Sequence, residues 1–278
     1  MRNVILAGLT ASLTLALPMP TAAWADVPSK TIAAGAFLDF DGNPVRHMGK
    51  NCTLGAVGTD ADGRKVGIAA GHCNPYSEPD DVSALPGAPV GVHIERNDHP
   101  VWDKNDIEAG PIGWIRWVSP DMSYRSSIDY MVIEFEPHIQ LSSRVLNASG
   151  DEVFRIDAVH RGTDGEPALP RVGDKVQNFG AASYEYGAES SNPVAHTPAT
   201  GVVVESGDGL FRSWAPTQPG DSGGPLIMQG TSEWVGISTR ARYDAFPQWE
   251  STSAQTILAD LNSRAITGSG FVVTDSDD

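Results

Sequence analysis

Helix signals, cysteines and positive charges are all scarce in this chain of 278 residues, and each scarcity removes a class of explanation. Apolar residues at three- and four-residue spacing are missing except near the C-terminus. That argues against a helix bundle, and against a layered α/β fold with long helices between its strands. Lysine and arginine total 19 against 35 acidic residues, a formal net charge of −16. Such a balance argues against nucleic acid and against anionic membrane surfaces as partners. Two cysteines, Cys52 and Cys73, need two more ligands to build a zinc site, and no histidine spacing supplies them, so no metal is expected. The apolar run from Val4 to Leu17 is shorter than the roughly 20 residues that span a bilayer.

What the N-terminus does have is an export signal. Arg2 supplies a positive end, the apolar run follows, and Ala23-Trp24-Ala25 places small residues where a signal peptidase cuts, ahead of Asp26. Residues 1–25 are therefore expected to be removed, leaving residues 26–278 as a soluble, secreted, extracellular protein without stable membrane anchoring. Export places Cys52 and Cys73 in an oxidising compartment, where a bond between them is expected over two buried thiols. Its loop of about 20 residues is worth roughly 3 kcal/mol in the chain-entropy account, and the bond would pin His72 to the core.

Short strand-like runs broken by Gly, Pro, Asn and Asp dominate the remainder. They are expected over residues 53–57, 66–70, 90–95, 112–118, 130–135, 172–179, 201–204, 225–228 and 234–238, a spacing that suggests a barrel or sandwich. One helix is expected near the end, where Ala254, Ile257, Leu258, Leu261 and Ala265 share a face and Ser253 is placed to cap it.

The strongest chemical signal is Pro219-Gly220-Asp221-Ser222-Gly223-Gly224-Pro225, read with Ala69-Ala70-Gly71-His72-Cys73 and with Asp129 in Ser127-Ile128-Asp129-Tyr130-Met131. A serine hydroxyl is a poor nucleophile at neutral pH and needs a base, which in turn needs a group to orient it. Ser222, His72 and Asp129 supply those three types, and histidine is the side chain that changes charge near neutrality. The N–H groups of Gly220 and Ser222 are the natural donors to a developing oxyanion. The order His, Asp, Ser is the reverse of the α/β-hydrolase order and argues against an esterase on that fold. A serine endopeptidase without a cofactor is the expected function. A protease-like protein that binds or adheres without turnover is the alternative.

These blocks resemble those of the chymotrypsin-like serine proteases, most of all the secreted bacterial branch of the streptogrisin and α-lytic type. The resemblance spans roughly residues 32–265. It is carried by Cys52-Thr53-Leu54-Gly55 with Ala70-Gly71-His72-Cys73, by residues 127–135 and by residues 219–226. It implies an all-β fold of two six-stranded antiparallel β-barrels, at about 30–140 and 150–250, with a C-terminal helix at about 253–266. The protein is expected to act as a monomer on protein or peptide substrates in a cleft between the barrels. Gly236-Ile237-Ser238-Thr239-Arg240 matches the strand that pairs with substrate. Ser238 matches the serine near the catalytic Asp, and Thr239 and Arg240 replace the usual pocket residues. Arg240 would then narrow the pocket or favour an acidic or polar side chain there, or else point to solvent. Pro216 stands where the trypsin branch has a pocket-floor carboxylate, which argues against cleavage after Lys or Arg. Asp221 requires a partner, and Asn178, after Gly173-Asp174-Lys175-Val176-Gln177, is a candidate.

Overall fold

In the computed structural model, residues 29–42, 51–75, 87–120, 128–146, 150–182, 198–243 and 246–276 are described. The expected export segment, 1–25, lies outside them. The strands of the first half are β1 (Lys30–Ala33), β2 (Phe37–Asp39), β3 (Asn51–Thr53), β4 (Ala56–Thr59), β5 (Lys65–Ala69), β6 (Pro100–Asp103), β7 (Gly113–Val118), β8 (Met131–Phe135) and β9 (Ile139–Ser142). Those of the second half are β10 (Arg144–Leu146), β11 (Glu152–Arg155), β12 (Ala158–Val159), β13 (Lys175–Asn178), β14 (Ala199–Gly207), β15 (Leu210–Ser213), β16 (Pro225–Met228), β17 (Glu233–Tyr243) and β18 (Pro247–Ser253). A helix, α1 (Ala254–Arg264), and a last strand, β19 (Val272–Val273), follow.

The second half forms a closed barrel. Its six strands run β17-β16-β13-β14-β15-β18, and β17 pairs with β18 to shut the ring, with β12 added to β17 outside it. Closure leaves the six ring strands without free edges. Inward side chains from five of them, Val176, Val203, Phe211, Leu226 and Val235, pack together with Ala215 as the barrel core.

The first half differs from the expected second closed barrel. Its sheet runs β19-β4-β5-β8-β7-β6-β2-β3 and curls, but among the described residues no ladder joins its two ends. The reason lies in residues 51–59. The chain pairs with β2 through Cys52 and Thr53, then turns away at Leu54 and Gly55 to pair with β5 through Ala56–Thr59. Leu54 N–H donates to Ala36 and Gly55 N–H to Ile68, so one continuous segment serves both ends of the sheet. Val66 and Ile68 of β5 and Ile115 and Trp117 of β7, two residues apart on each strand, are all buried.

Residues 90–95 do not form the expected strand. Gly91 N–H and Ile94 N–H reach β7 carbonyls, but Val90 and Val92 point to solvent and Gly91 has φ +70°. The helix is where it was expected. Ser253 Oγ accepts the Thr256 N–H at 3.1 Å, and Ala254, Ile257, Leu258 and Leu261 are buried. These residues join the larger apolar cluster with Val132 and Ile133 of the first sheet, and β19 then pairs with β4. The C-terminal segment thus straps the closed barrel to the curled sheet. Among the described residues no helix is long and apolar enough to cross a membrane.

Candidate active site

His72 sits in a single 3₁₀ turn, Gly71–Cys73, directly after β5. Asp129 lies just before β8, the neighbour of β5, and is 1 % exposed. Both of its carboxylate oxygens engage His72. Oδ1 accepts the His72 main-chain N–H at 2.9 Å, and Oδ2 lies 2.8 Å from His72 Nδ1. The carboxylate therefore closes the turn and orients the imidazole at once. Because a carboxylate accepts, the neutral ring carries its proton on Nδ1 and leaves the Nε2 lone pair as the basic site. The expected bond between Cys52 and Cys73 is present and ties the residue after His72 to β3. The cysteines and His72 lie within 4.8 Å of one another, but sulfurs joined to each other are not thiolate ligands.

Ser222 is half-buried in the turn that leads into β16. Several bonds hold that turn against the first sheet. Thr53 N–H donates to the Ser222 carbonyl at 2.8 Å, and Thr53 Oγ1 donates to the Gly220 carbonyl at 2.9 Å. Thr53 Oγ1 also accepts the Ala181 N–H at 2.9 Å. The path from serine to histidine is thus short: Ser222 to Thr53, Thr53 to its neighbour Cys52, and the disulfide to Cys73 beside His72. Cys73 Sγ itself lies 4.0 Å from the Ser222 carbonyl. From the second barrel, Gly223 N–H donates to Ser238 O at 2.7 Å and Ser238 N–H to Gly224 O at 2.8 Å. Gly223 has φ +84°, and a Cβ there would lie 2.3 Å from the Thr53 carbonyl, so the tight approach requires glycine. Among the described residues the N–H groups of Gly220 and Ser222 donate to no protein acceptor.

Asp221 is fully buried, and its Oδ2 accepts the Gln218 N–H at 2.9 Å, a local partner in place of the expected Asn178. Its carboxyl also fills the space beside Gly180, where a Cβ would come within 2.0 Å of Asp221 Cγ.

The other residues expected to meet substrate fall into two groups. Ser238 and Thr239 are buried on β17, and Thr239 Oγ1 donates to the Glu250 carbonyl at 3.1 Å. Pro216 is exposed on the segment leading to the serine turn. Arg240 does not turn to solvent. Its guanidinium lies 3.8 Å from Asp129 Oδ2 and 3.9 Å from Glu250 Oε1, with 14 % of the side chain exposed.

Three contributors had no sequence signal. Thr252 Oγ1 on β18 accepts the Asp129 N–H at 3.3 Å, fixing the aspartate from the opposite sheet. Buried Asn74 bonds both the N–H and the carbonyl of Ala88, at 2.9 and 2.7 Å, and holds the chain that follows the histidine turn. Glu250 is 3 % exposed and gathers arginines from two strands. Each belongs to a site only through pairing across the sheets.

No family profile and no curated protein matches the chain. Solved structures do. Thermobifida fusca Protease A is 14 % identical at a TM-score of 0.53, over 88 % of this chain and 100 % of that one. Cellulomonas bogoriensis chymotrypsin is 17 % identical at a TM-score of 0.52, over 88 % and 100 %. A glutamic-acid-specific serine protease that uses a histidine triad in substrate binding is 14 % identical at a TM-score of 0.55, over 87 % and 100 %. At these identities the likeness is one of architecture: the chain has the fold of the chymotrypsin-like serine proteases.

Proposed function

We propose that this protein is a secreted serine endopeptidase of the bacterial streptogrisin and α-lytic type, working through Ser222, His72 and Asp129. The observation that carries the reading is the His72–Asp129 pair, with the Ser222 turn held to the same disulfide through Thr53. Ser222 Oγ attacks the scissile carbonyl while its proton passes to His72 Nε2. Asp129 holds the ring and offsets the imidazolium charge. The carbonyl oxygen becomes negative and meets the N–H groups of Gly220 and Ser222. As the C–N bond breaks, His72 returns the proton to the leaving amine. Water then attacks the acyl group, giving a proton to His72, and Ser222 regains its hydroxyl as the acid leaves. Every group needed is a side chain or main-chain N–H, so the mechanism requires no cofactor.

In this reading residues 1–25 direct export, and the monomeric mature chain of residues 26–278 is one peptidase unit. Its halves lie at about 30–140 and 150–250, with substrate between them along β17, beside Ser238, Thr239 and Arg240. Pro216 provides no carboxylate, which disfavours Lys and Arg at the residue preceding the scissile bond.

The test is labelling of the exported protein with a fluorophosphonate, with the adduct mapped by mass spectrometry. The expected result is one adduct on Ser222, absent in Ser222→Ala and much slowed in His72→Ala. Well-folded protein that takes no label and cleaves no denatured protein would overturn the reading and leave a binding protein on a protease fold.

A further inference from the structure

One end of each sheet meets at a single groove. β12 is an end strand of the barrel sheet and β19 an end strand of the curled one. Ala158 and Val159 of β12 and Val272 and Val273 of β19 all line a groove of about 900 Å³. Gln255, Leu258, Ala259 and Asn262 of α1 line it too, at the spacing of a single helix face. None of Ser222, His72 and Asp129 does, so whatever binds here stands apart from the proposed catalysis.

β19 presents an open edge. In its antiparallel ladder Val272 lies opposite Thr59, and Thr274 N–H donates to the Val57 carbonyl at 3.0 Å. That alternation turns the N–H and C=O of Val273 away from β4, and among the described residues no strand pairs with that side. A lysine, a proline or a bulge commonly blocks such an edge. Phe271-Val272-Val273-Thr274 has no lysine or proline, Val272 is 63 % exposed, and β-branched residues suit an added strand.

Charge identifies the occupant. The walls carry Asp157, Glu166 and Asp275 against one cation, Arg161. Arg161 Nη1 donates to the Gly165 carbonyl at 2.6 Å, and Asp157 accepts the Ser232 hydroxyl. The Glu166 and Asp275 carboxylates take no donor among the described residues. A second copy of the chain would bring the same carboxylates and a net charge of −16, which opposes pairing of like edges. We propose that the groove docks an extended basic segment of a partner polypeptide, which adds a strand along β19 and directs lysine or arginine side chains to Asp157, Glu166 and Asp275. Main-chain bonds to Val273 set its register, and the carboxylates set its charge preference.

The test uses the exported protein carrying Ser222→Ala, so that no probe is cut. The probes are an eight-residue peptide of alternating Val and Lys, its Val and Glu counterpart, and the Val-Lys peptide with its two central valines replaced by proline. Calorimetry should show the Val-Lys peptide binding about tenfold or more tightly than either of the others, with the preference falling as salt rises. Hydrogen exchange should slow in the segment 271–276 on binding. Glu166→Lys with Asp275→Lys, both at exposed positions, should reverse the preference between the Lys and Glu peptides. Val273→Pro should abolish binding, because it removes the outward N–H and leaves the Thr274 bond to β4 in place. The charge-reversed variant keeps the test decisive should Val273→Pro fail to fold. No binding of the Val-Lys peptide overturns the inference, as does equal binding of its Glu counterpart or protection confined to other segments. Self-association with segment 271–276 protected in the absence of peptide would overturn it in favour of a second copy of the chain.

Discussion

Asp129 performs two tasks with two oxygens, and the chemistry of the pair depends on both being acceptors. Asp129→Asn keeps the shape but places an amide NH₂ where one acceptor stood. The amide then favours the ring tautomer with its proton on Nε2, which cannot take the Ser222 proton. Under the proposed mechanism kcat falls by about 10⁴-fold, while near-ultraviolet circular dichroism stays that of the wild type. A loss of tenfold or less would mean that the pairing at 2.8 Å is structural only. At this scale the motifs were legible where a residue acts through its immediate neighbours, as in the serine turn and in the placement of Cys73 beside His72. They were silent where a residue acts across sheets. Arg240 illustrates the difference. Its position along β17 left solvent, a narrowed pocket and an acidic preference all open. The direction of its side chain follows from the register that sets Arg240 opposite Glu250, beyond the irregularity after Ser238.

The elements that carry the site are short, and the disulfide supplies what their length does not. β3 has three residues and the histidine turn another three, so few main-chain bonds fix either one. The Cys52–Cys73 bond, at a sequence separation of 21, joins them. Cys52→Ser with Cys73→Ser is expected to lower stability by about 3 kcal/mol, read by urea unfolding. It is also expected to slow Ser222 labelling well before the protein unfolds, because Thr53 and His72 are the neighbours of the two cysteines. Labelling that stays at the wild-type rate in the folded double variant would show that the Thr53 hydrogen bonds hold the turn unaided. Element identity was read best where composition and burial agree. The expected strand over 225–228 is β16 in full, and the helix begins at its expected cap. The strand expected over 90–95 failed because two of its valines face water and a glycine breaks its backbone. Strands such as β9 went unread. Its two apolar residues, Ile139 and Leu141, alternate over only four positions, too short a run to stand out, and its parallel pairing depends on a partner over a hundred residues away.

Over the whole molecule, the two sheets meet at the site, and residues 254–273 hold them in place. The clearest single link is Tyr130, just ahead of β8, whose hydroxyl donates to Asp260 of α1 at 2.6 Å. Burial pushes the Tyr130 phenol far up from its ordinary value of 10.0, and the Asp260 carboxylate raises it further against a smaller opposing pull from Arg264. In the folded protein the phenol thus stays protonated at pH values where the unfolded chain ionises. The stability it contributes is whole below about pH 10 and is lost progressively above it. Tyr130→Phe removes both the bond and this titration. It should cost about 1–2 kcal/mol at pH 8, and the gap between wild type and variant should narrow from pH 10 upward. Urea unfolding at a series of pH values from 7 to 11 provides the comparison. A gap that stays constant through pH 11 would place the phenol outside the α1 linkage. A closing gap would identify one hydrogen bond as a measurable part of what keeps the helix, and with it the curled sheet, against the barrel that bears Ser222.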